Sequence, residues 1–287
     1  RGCDKFCTFC IVPFTRGRER SRSVDGIVRE VKKAVSNGFS EITLLGQNVN
    51  SYNYNEEKFP ELLDKVAKVN GVKRIRYTSP HPQDINEDLL EVMARHDNIC
   101  NYIHLPLQAG SNRILKRMNR TYTKENFIDL TKKIRSFLPG VGISTDIIVG
   151  FPGETKKDFN ETLEVMRKVK FDSAFTFKYS PRKGTKAIEY DDQLSEHEKQ
   201  NRLIKIIELQ KINTAFRNQT YLNSVVKVLI EKKSKRNENK WAGRTESNKW
   251  VIFDRLDFKI NDIVPVLIKR SKGITLYGEI LKKAKVA

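Results

Sequence analysis

Short apolar runs alternate with amphipathic stretches over the first two thirds of the chain. Ile27, Val31 and Val35 recur at helical spacing, so a helix is predicted from Ser23 to Gly38. A mostly apolar run at residues 41–46 then predicts a strand. The same order repeats four more times, with helices predicted at residues 59–69, 86–95, 124–137 and 156–169 and strands at residues 74–78, 102–105, 143–149 and 173–178.

Strands that alternate with helices predict a parallel sheet with right-handed crossovers. Polar loops with Gly or Pro follow these strands, at the end where such folds place their sites. Five strands are visible, and the cysteine-rich loop at the start should hang from a sixth strand, as the C-terminal part of a longer protein would show. The predicted fold class is therefore α/β, with a partial (β/α)6 barrel.

The pattern changes after a long helix predicted at residues 195–219. Five short strands, separated by polar or Gly turns, are predicted at residues 224–230, 240–244, 249–253, 263–268 and 275–280. Their number and spacing are typical of a small five-stranded β-barrel, so two domains are predicted, at residues 1–219 and 220–287. The first loop of this barrel, residues 231–240, is strongly basic. Such a run is usually a solvated tip, but it also suits contact with an RNA backbone.

The charge balance favours a polyanionic partner. The 287 residues include 54 Lys and Arg against 35 Asp and Glu, a net charge of +19. Nucleic acid is the first candidate, and a merely soluble basic surface is the alternative. No apolar run approaches the roughly 18 residues of a membrane span, and the start lacks a secretory signal pattern. The expected location is the cytoplasm.

Three of the four cysteines crowd the first ten positions. Cys3, Cys7 and Cys10 are separated by three and then two residues, which fits neither a zinc pair of pairs nor a disulfide ladder. Structural zinc takes four protein ligands and catalytic zinc three, whereas an iron–sulfur cubane held by three cysteines keeps one iron open. Phe9, before the last cysteine, could shield a cluster from water. Cys100 stands alone and is interpreted as a small core residue.

The Cys3-x-x-x-Cys7-x-x-Cys10 motif, with an aromatic residue before its last cysteine and an α/β repeat behind it, resembles the radical S-adenosylmethionine superfamily. In that superfamily the open iron binds S-adenosylmethionine, and electron transfer yields a 5'-deoxyadenosyl radical. Further stretches resemble the methylthiotransferases, in particular the branch that acts on isopentenyladenosine in tRNA. They lie at residues 14–22, 44–52, 104–111, 146–154 and 179–185. The terminal barrel resembles the TRAM domain, an RNA-binding module.

This resemblance implies insertion of a methylthio group at C2 of N6-isopentenyladenosine, beside the anticodon of a tRNA. One S-adenosylmethionine supplies a methyl group, a second supplies the radical, and an auxiliary [4Fe-4S] cluster in an N-terminal domain provides the sulfur. Outside the motif the chain has only Cys100, so we expect that cluster to lie outside this chain, which alone would not thiolate tRNA. The implied partners of a monomeric protein are the anticodon stem-loop of tRNA and an electron donor.

The resemblance assigns Cys3, Cys7 and Cys10 to a [4Fe-4S] cluster. It assigns a wider set to the binding of S-adenosylmethionine: Phe9, Gly46, Gln47, Asn48, Gln108, Ser111, Asp146, Gly150 and Glu154. As alternatives, the glycines only satisfy turn geometry, residues 46–48 form a tight polar turn, and Glu154 caps the next helix. His81 and His104 are interpreted as packing residues rather than general bases. No catalytic residue is assigned beyond the cluster.

Two basic segments are candidates for RNA binding. One lies beside the cysteine loop and the other in the terminal barrel: Arg16, Arg18, Arg20 and Arg22, and Lys232, Lys233, Lys235 and Arg236. The target base would have to leave its stack, because C2 is hard to reach in a helix. Two alternatives stay open. One is a sister enzyme acting on threonylcarbamoyladenosine or on an aspartate of a ribosomal protein, and the other is a non-catalytic RNA-binding metal protein.

Overall fold

The computed structural model describes residues 1–281 and confirms the predicted order of helices and strands. Over the first 219 residues the strands are β1 (Glu41–Leu44), β2 (Asn53–Tyr54), β3 (Glu57–Lys58), β4 (Arg74–Tyr77), β5 (Tyr102–His104), β6 (Gly142–Val149) and β7 (Ser173–Lys178). The helices are α1 (Val12–Arg16), α2 (Val24–Ser36), α3 (Phe59–Ala67), α4 (Glu87–Arg95), α5 (Asn112–Arg117), α6 (Lys124–Phe137), α7 (Lys156–Val169) and α8 (Glu196–Gln219). The short α1, α5 and the β2–β3 hairpin were not predicted.

Side-chain caps explain why most helix starts could be read from the sequence. Ser23 caps α2 by accepting a hydrogen bond from the backbone of Gly26, and Asn86 caps α4 in the same way. Thr123 and Thr155 form reciprocal capping boxes at the starts of α6 and α7. Each cap satisfies backbone N–H groups that the first helical turn leaves without partners.

The five parallel strands form two sheets around one apolar core. β1 pairs with β4, and β5, β6 and β7 form a three-stranded sheet. A parallel bridge between Ile75 and Ile99 joins the two sheets. Cys100, next along the chain, is only 2% exposed, which confirms it as a core residue, and burial raises the pKa of its thiol to about 11.

Residues 225–280 form a closed five-stranded barrel, as predicted. Its strands are β8 (Val225–Ser234), β9 (Asn237–Thr245), β10 (Trp250–Asp254), β11 (Ile263–Lys272) and β12 (Thr275–Ile280), in the order β10–β12–β11–β8–β9. The predicted loop at residues 231–240 is wrong, because β8 and β9 run through it and leave only Lys235 and Arg236 at the turn. Backbone pairing continues there, with Lys232 opposite Ala242, although the apolar pattern has ended.

The terminal barrel contacts the amino ends of the parallel strands. Arg76 of β4 donates to the backbone oxygens of Thr245 and Glu246, at 2.8 and 3.2 Å. Gly142, at the start of β6, lies so close to Ser247 that a Cβ there would stand 2.6 Å from the Ser247 carbonyl oxygen. The barrel therefore sits at the edge of the sheets opposite the carboxyl ends. Among residues 1–281, no helix is both long and apolar enough to span a membrane.

Candidate cluster-binding site

The cysteine loop, residues 1–10, lies across the carboxyl ends of the parallel strands, as predicted. The backbone N–H of Gly2 donates to Gln47 Oε1, just after β1, at 2.8 Å. The Thr8 hydroxyl donates to the carbonyl oxygen of Arg117, which ends α5 in the segment between β5 and β6, at 2.9 Å. Phe9 packs edge-to-face against Phe151, which follows β6, with ring centroids 6.4 Å apart. Segments after three strands thus hold this loop at one mouth.

A close backbone approach fixes the start of the loop. Gly2 has φ +88°, and a Cβ on it would lie 2.1 Å from the carbonyl oxygen of Arg18. The backbone N–H of Cys3 donates to the carbonyl oxygen of Gly17 at 3.2 Å. Only glycine fits such a position without a shift of the backbone. The Arg-Gly-Cys start therefore sets the position of the first thiol.

The three thiols are free, half-buried and electrostatically coupled to one another. Burial raises the pKa of Cys3 and Cys10, while hydrogen bonds from the backbone of Lys5 and Val12, respectively, lower it in part. Arg120 Nη1 donates to Cys7 Sγ at 3.4 Å. Backbone and guanidinium donors stabilise thiolates, which are the form that binds metal.

This donor set fits an iron–sulfur cluster. In residues 1–281, no group of three or more His, Cys, Asp or Glu side chains is arranged around a single metal ion. A cubane has a different requirement, because each of the three thiolates binds a separate iron and the fourth iron stays open. Three coupled thiols on one loop, with N–H donors directed at the sulfurs, meet that requirement.

Gln108 offers a polar group to a ligand. It lies after β5 with φ +67°, and its backbone N–H donates to the carbonyl oxygen of Asp146 at 2.9 Å. Its side-chain oxygen, Oε1, is buried and has no hydrogen-bond partner within the described part of the chain. An unpaired buried acceptor is costly unless a ligand or water satisfies it. The predicted contact of Gln108 with a cofactor is consistent with this unpaired acceptor.

Residues 46–48 line a cleft of about 340 Å³ next to the cysteine loop. Asn48 is buried, and its amide donates to Ser51 Oγ and to Asp84 Oδ2. Gly46 approaches Val49, whose Cα would lie 3.0 Å from an added Cβ. Asn48 is thus engaged within the turn, as the alternative interpretation states, while the cleft beside Gly46 and Gln47 is accessible. Their binding of S-adenosylmethionine stays a prediction.

Asp146 and His104 stand together on neighbouring strands. His104 Nε2 lies 3.3 Å from Asp146 Oδ2, and His104 Nδ1 lies 2.7 Å from Ser144 Oγ. The exposed ring of Phe175 packs edge-to-face on His104, with centroids 5.7 Å apart. Both polar groups of the imidazole therefore have protein partners, as expected of a packing residue. Asp146 keeps part of its carboxylate exposed, so its predicted contact with the cofactor stays open.

Two of the predicted cofactor residues are occupied by protein contacts. Ser111 is buried and its hydroxyl donates to Asp158 Oδ1 at 2.6 Å. Glu154 is buried and forms an ion pair with Arg202, 2.6 Å from Nη1 to Oε2. Both polar groups are therefore engaged with other side chains of the fold, and a contact of Ser111 or Glu154 with the cofactor stays a prediction. Glu154 is not the helix cap, since Thr155 caps α7.

Gly150 is held by the same loop. Its backbone N–H donates to Glu154 Oε2 at 2.8 Å, and its φ is +69°. A Cβ on it would lie 2.4 Å from Lys199 Cγ, so the glycine allows α8 to approach. This contact supports the turn interpretation of Gly150. A contact with the cofactor remains a prediction.

His81 is a buried packing residue. Burial lowers its pKa to about 3, and the positive charges of Arg120 and Lys5 act in the same direction. Its Nδ1 accepts a hydrogen bond from the backbone of Gln83, and its ring packs on Tyr122. A neutral ring with a buried nitrogen committed to the backbone suits the interpretation as a packing residue.

The basic segments are exposed, as their proposed role requires. Arg18 forms an ion pair with Asp4 and Arg22 forms one with Glu30, whereas the side chains of Arg16 and Arg20 have no partner within the described residues. In the terminal barrel all four predicted residues are exposed: Lys232, Lys233, Lys235 and Arg236. Lys232, Lys235 and Arg236 line one groove of about 630 Å³ on the barrel, and Lys233 lies outside it.

Arg120 and Asp84 are important residues at this mouth that the sequence did not indicate. Arg120 connects Cys7 to Tyr122, whose hydroxyl accepts from its Nε at 2.9 Å. Asp84 accepts from Lys5 of the cysteine loop and from Ser51, at 2.9 and 2.6 Å. Neither lies in a recognisable motif, and only folding brings them to the loop. Only their position near residues 1–10 in the folded protein identifies them, and the sequence gives no local signal of it.

Comparison with known proteins agrees with this site. The family model described as the radical SAM superfamily matches residues 1–166, and the TRAM domain model matches residues 219–281. Among solved structures, methylornithine synthase (PylB) superposes with a TM-score of 0.52 at 18% identity. The alignment covers 74% of this chain and 60% of that one, and it supports the barrel fold alone.

Curated relatives are much more similar in sequence. Proteins named tRNA-2-methylthio-N(6)-dimethylallyladenosine synthase match from Clostridium tetani, 48% identical over 97% of this chain, and from Alkaliphilus oremlandii, 47% identical over 98%. The chain spans 62% and 60% of the length of these two relatives. Since the superfamily model covers more than half of the sequence, and the fold and the cysteine loop agree with it, the chain belongs to the radical SAM superfamily.

Proposed function

We propose that this chain is the radical-generating and RNA-binding part of a tRNA methylthiotransferase that modifies C2 of N6-isopentenyladenosine. The observation that carries the proposal is the cysteine loop at the carboxyl mouth of the barrel, in a chain 47–48% identical to relatives named for that reaction. An aromatic C–H bond at C2 gives acid–base catalysis no proton to remove easily, so radical chemistry suits this target. The chain would work in the cytoplasm, divided into domains at residues 1–219 and 220–287.

In this proposal Cys3, Cys7 and Cys10 would hold a [4Fe-4S] cluster, which would supply an electron for the reductive cleavage of S-adenosylmethionine. The residues around it bind and orient the cofactor. Gln108 presents its unpaired Oε1 to a donor group of the cofactor. Arg120, with its contact to Cys7, holds positive charge beside the thiolates. Phe9, packed on Phe151, limits access of water to the last cysteine.

The isopentenyl branch is favoured over its sisters by the names of the relatives. The names of these two relatives do not mention the sister substrates, threonylcarbamoyladenosine and a ribosomal protein. Sulfur donation is proposed to need residues beyond these, since the one cysteine outside the loop, Cys100, is buried in the core. The proposed partners are the anticodon stem-loop of tRNA and a one-electron donor, and the proposed oligomeric state is a monomer.

Anaerobic reconstitution with iron and sulfide tests the proposal. We expect a brown protein with about four irons per chain and, after addition of dithionite and S-adenosylmethionine, release of 5'-deoxyadenosine. Replacement of Cys3, Cys7 or Cys10 by alanine should abolish the visible absorbance and the release. Cys100→Ala is the matched control, because it removes a thiol that lies away from the loop, and it should keep both signals.

A colourless protein that binds zinc would contradict the enzyme and favour a non-catalytic metal protein. The substrate is tested separately with a prenylated anticodon stem-loop. We expect the 287-residue chain to bind it without forming a methylthiolated product. Formation of that product by this chain alone would contradict the proposal that sulfur donation needs further residues.

A further inference from the structure

A groove of about 400 Å³ runs along one side of the cysteine loop, where residues 6–8 form part of its wall. Two contacts hold that wall in place. The side chain of Asn119 donates to the backbone oxygen of Phe6 at 2.9 Å, and the backbone N–H of Ala187 donates to the carbonyl oxygen of Thr8, also at 2.9 Å. The groove therefore lies between the segment after α5 and the segment that follows β7.

Two exposed aromatic rings share this groove with a thiol. Phe6 is 41% exposed and Phe14 is 65% exposed, and the half-buried Cys7 lines the groove with them. Neighbouring exposed rings are typical of a contact surface. None of the residues predicted to bind S-adenosylmethionine lines the groove. A partner bound there would therefore approach Cys7 without occupying the predicted place of the cofactor.

The groove is positively charged. Its cations are Lys116, Arg117 and Lys186, and no Asp or Glu lines it in the part of the chain that the structure describes. Arg117 is paired with Asp192. Lys116 and Lys186 are exposed, and neither forms an ion pair with any residue from 1 to 281. Their charges are available to a partner, and an acidic protein surface would complement them.

The position of the groove favours an electron carrier over RNA. Each reductive cleavage of S-adenosylmethionine consumes one electron, so the carrier has to dock and leave in every cycle. Redox encounters of this kind bury little surface, less than about 1,200 Å², and depend on attraction between opposite charges. RNA is also anionic, but its target base has to enter the mouth, where Gln108 and Asp146 stand, and neither residue lines this groove.

We propose that the groove beside Cys7 is the docking site of an acidic one-electron carrier protein. The carrier is oxidised by one electron, and the cluster held by the cysteine loop is reduced by the same electron. Lys116 and Lys186 attract the carrier, and the rings of Phe6 and Phe14 pack against it. The inference rests on the proposed function in taking a reducible cluster at this loop. It adds the surface through which the electron enters.

The test uses flavodoxin hydroquinone as the probe, an acidic one-electron carrier whose oxidation to the blue semiquinone is visible. Stopped-flow mixing with the reconstituted 287-residue chain and S-adenosylmethionine, at low salt, gives the second-order rate of semiquinone formation. Lys116→Glu and Lys186→Glu should each slow this rate about tenfold, because like charges then face each other. The difference from the parent chain should shrink at high salt, which screens exposed charges.

Two matched controls separate docking from other effects. Dithionite is a small reductant that needs no protein surface, and its rate of cluster reduction should stay within about threefold in both lysine variants. Lys205→Glu makes the same change in net charge on α8, at an exposed lysine outside the groove. It should keep the flavodoxin rate within about twofold. An equal loss in Lys205→Glu would mean that net charge alone controls the encounter, which overturns the proposal.

The ring contact has its own pair of variants. Phe14→Ala should slow the flavodoxin rate about fivefold, and the loss should persist at high salt, because salt does not screen apolar packing. Phe39→Ala is the matched control, since Phe39 is 61% exposed but precedes β1, at the edge opposite the mouth. It should stay within about twofold. Thermal melting checks that each variant folds, and parent-like rates in Phe14→Ala and in both lysine variants overturn the proposal.

Binding without the cluster separates this inference from the proposed function. Calorimetric titration of oxidised flavodoxin into the chain before reconstitution measures docking alone, and Lys116→Glu should weaken it about tenfold. If Lys116→Glu instead loses affinity for an anticodon stem-loop while it binds flavodoxin as tightly as the parent chain, the groove serves RNA and the proposal is overturned. Release of 5'-deoxyadenosine with dithionite tests the proposed function without the carrier, so either conclusion can fail alone.

Discussion

Replacement of Arg202 by methionine should leave Glu154 as an uncompensated buried charge behind the mouth. Arg202 Nη1 donates to Glu154 Oε2 at 2.6 Å and to the Glu154 backbone oxygen at 2.8 Å. Gly150 donates its backbone N–H to the same carboxylate. These bonds connect α8 to the loop after β6, so the substitution tests what positions one side of the candidate site.

The size of the expected stability loss follows from the protonation state that Glu154 can adopt in the variant. Glu154 can avoid an isolated buried charge by taking up a proton. At pH 7, starting from an ordinary glutamate pKa of about 4.3, that uptake costs about 3.7 kcal/mol. Broken buried ion pairs typically cost about 3–5 kcal/mol, which agrees. Because burial already raises the pKa of Glu154 in the parent protein, part of that cost is present there, and we expect the free energy of unfolding to fall by about 3 kcal/mol at pH 7.

The loss should depend on pH with a defined sign. Burial already raises the pKa of Glu154 in the parent protein, despite the hydrogen bonds from Arg202 and Gly150, and removal of Arg202 raises it further. A carboxylate whose pKa is raised by folding is best tolerated below its unfolded pKa, and stability falls as pH rises through the folded value. At pH 5 the cost of protonation is about 1 kcal/mol, so most of the loss should disappear.

Urea unfolding followed by circular dichroism at pH 7 and pH 5 measures both quantities. Glu198→Gln is the matched control, because it removes the half-exposed partner of Arg202 and should cost less than about 1 kcal/mol. Combining Arg202→Met with Glu154→Gln removes the buried charge and should recover much of the stability. A loss that is equal at both pH values, or a double variant no more stable than Arg202→Met, would refute the reasoning.

Three further substitutions test other parts of the structure. Gly2→Ala places a Cβ 2.1 Å from a backbone oxygen and should sharply lower the iron bound on reconstitution, whereas Gly38→Ala, with the same φ of +88° and open space around it, should not. Asp172→Asn leaves buried Lys249, 3.0 Å away, without its counter-charge, and should lower the free energy of unfolding in urea by about 3 kcal/mol. Burial alone would raise the pKa of Asp158, but its hydrogen bonds hold it well below the ordinary value, so its contribution is present above about pH 4 and lost in more acidic solution. Asp158→Asn should therefore flatten the decline of melting temperature below pH 4, and an unchanged acid decline would contradict this.

Local patterns determined most of the secondary structure. The predicted helices at residues 124–137 and 156–169 match α6 and α7 residue for residue, because Thr123 and Thr155 mark their starts and an apolar stripe marks their length. The strand at residues 173–178 also matches β7. In the terminal barrel, residues 231–240 were predicted as a loop because the outward positions of β8 and β9 are charged there. They are paired strands, since side-chain polarity does not report backbone pairing.

At the candidate site, the sequence predicted which residue types are present better than it predicted which of them pair with other groups of the protein. The cysteine spacing placed three thiols on one loop, and the strand order placed that loop at the carboxyl mouth. Ser111 stands in the same stretch as Gln108, and Glu154 stands in the stretch at residues 146–154, yet the polar atoms of both are paired inside the protein while Gln108 Oε1 is not. Motif membership could not distinguish them, because pairing depends on Asp158 and Arg202, which come from distant helices.

The sequence by itself determined the order of elements, the two folded regions and the cysteine loop, because each depends on residues close together along the chain. Tertiary structure alone decided which groups surround that loop and where the terminal barrel docks. Arg120 reaches Cys7 across 113 residues, and Arg76 reaches the backbone of Thr245 across 169. Such contacts leave no local periodicity, since their energy is gained only when the whole chain has packed. The cysteine spacing therefore identifies the loop, but the residues that position this loop come from distant parts of the chain.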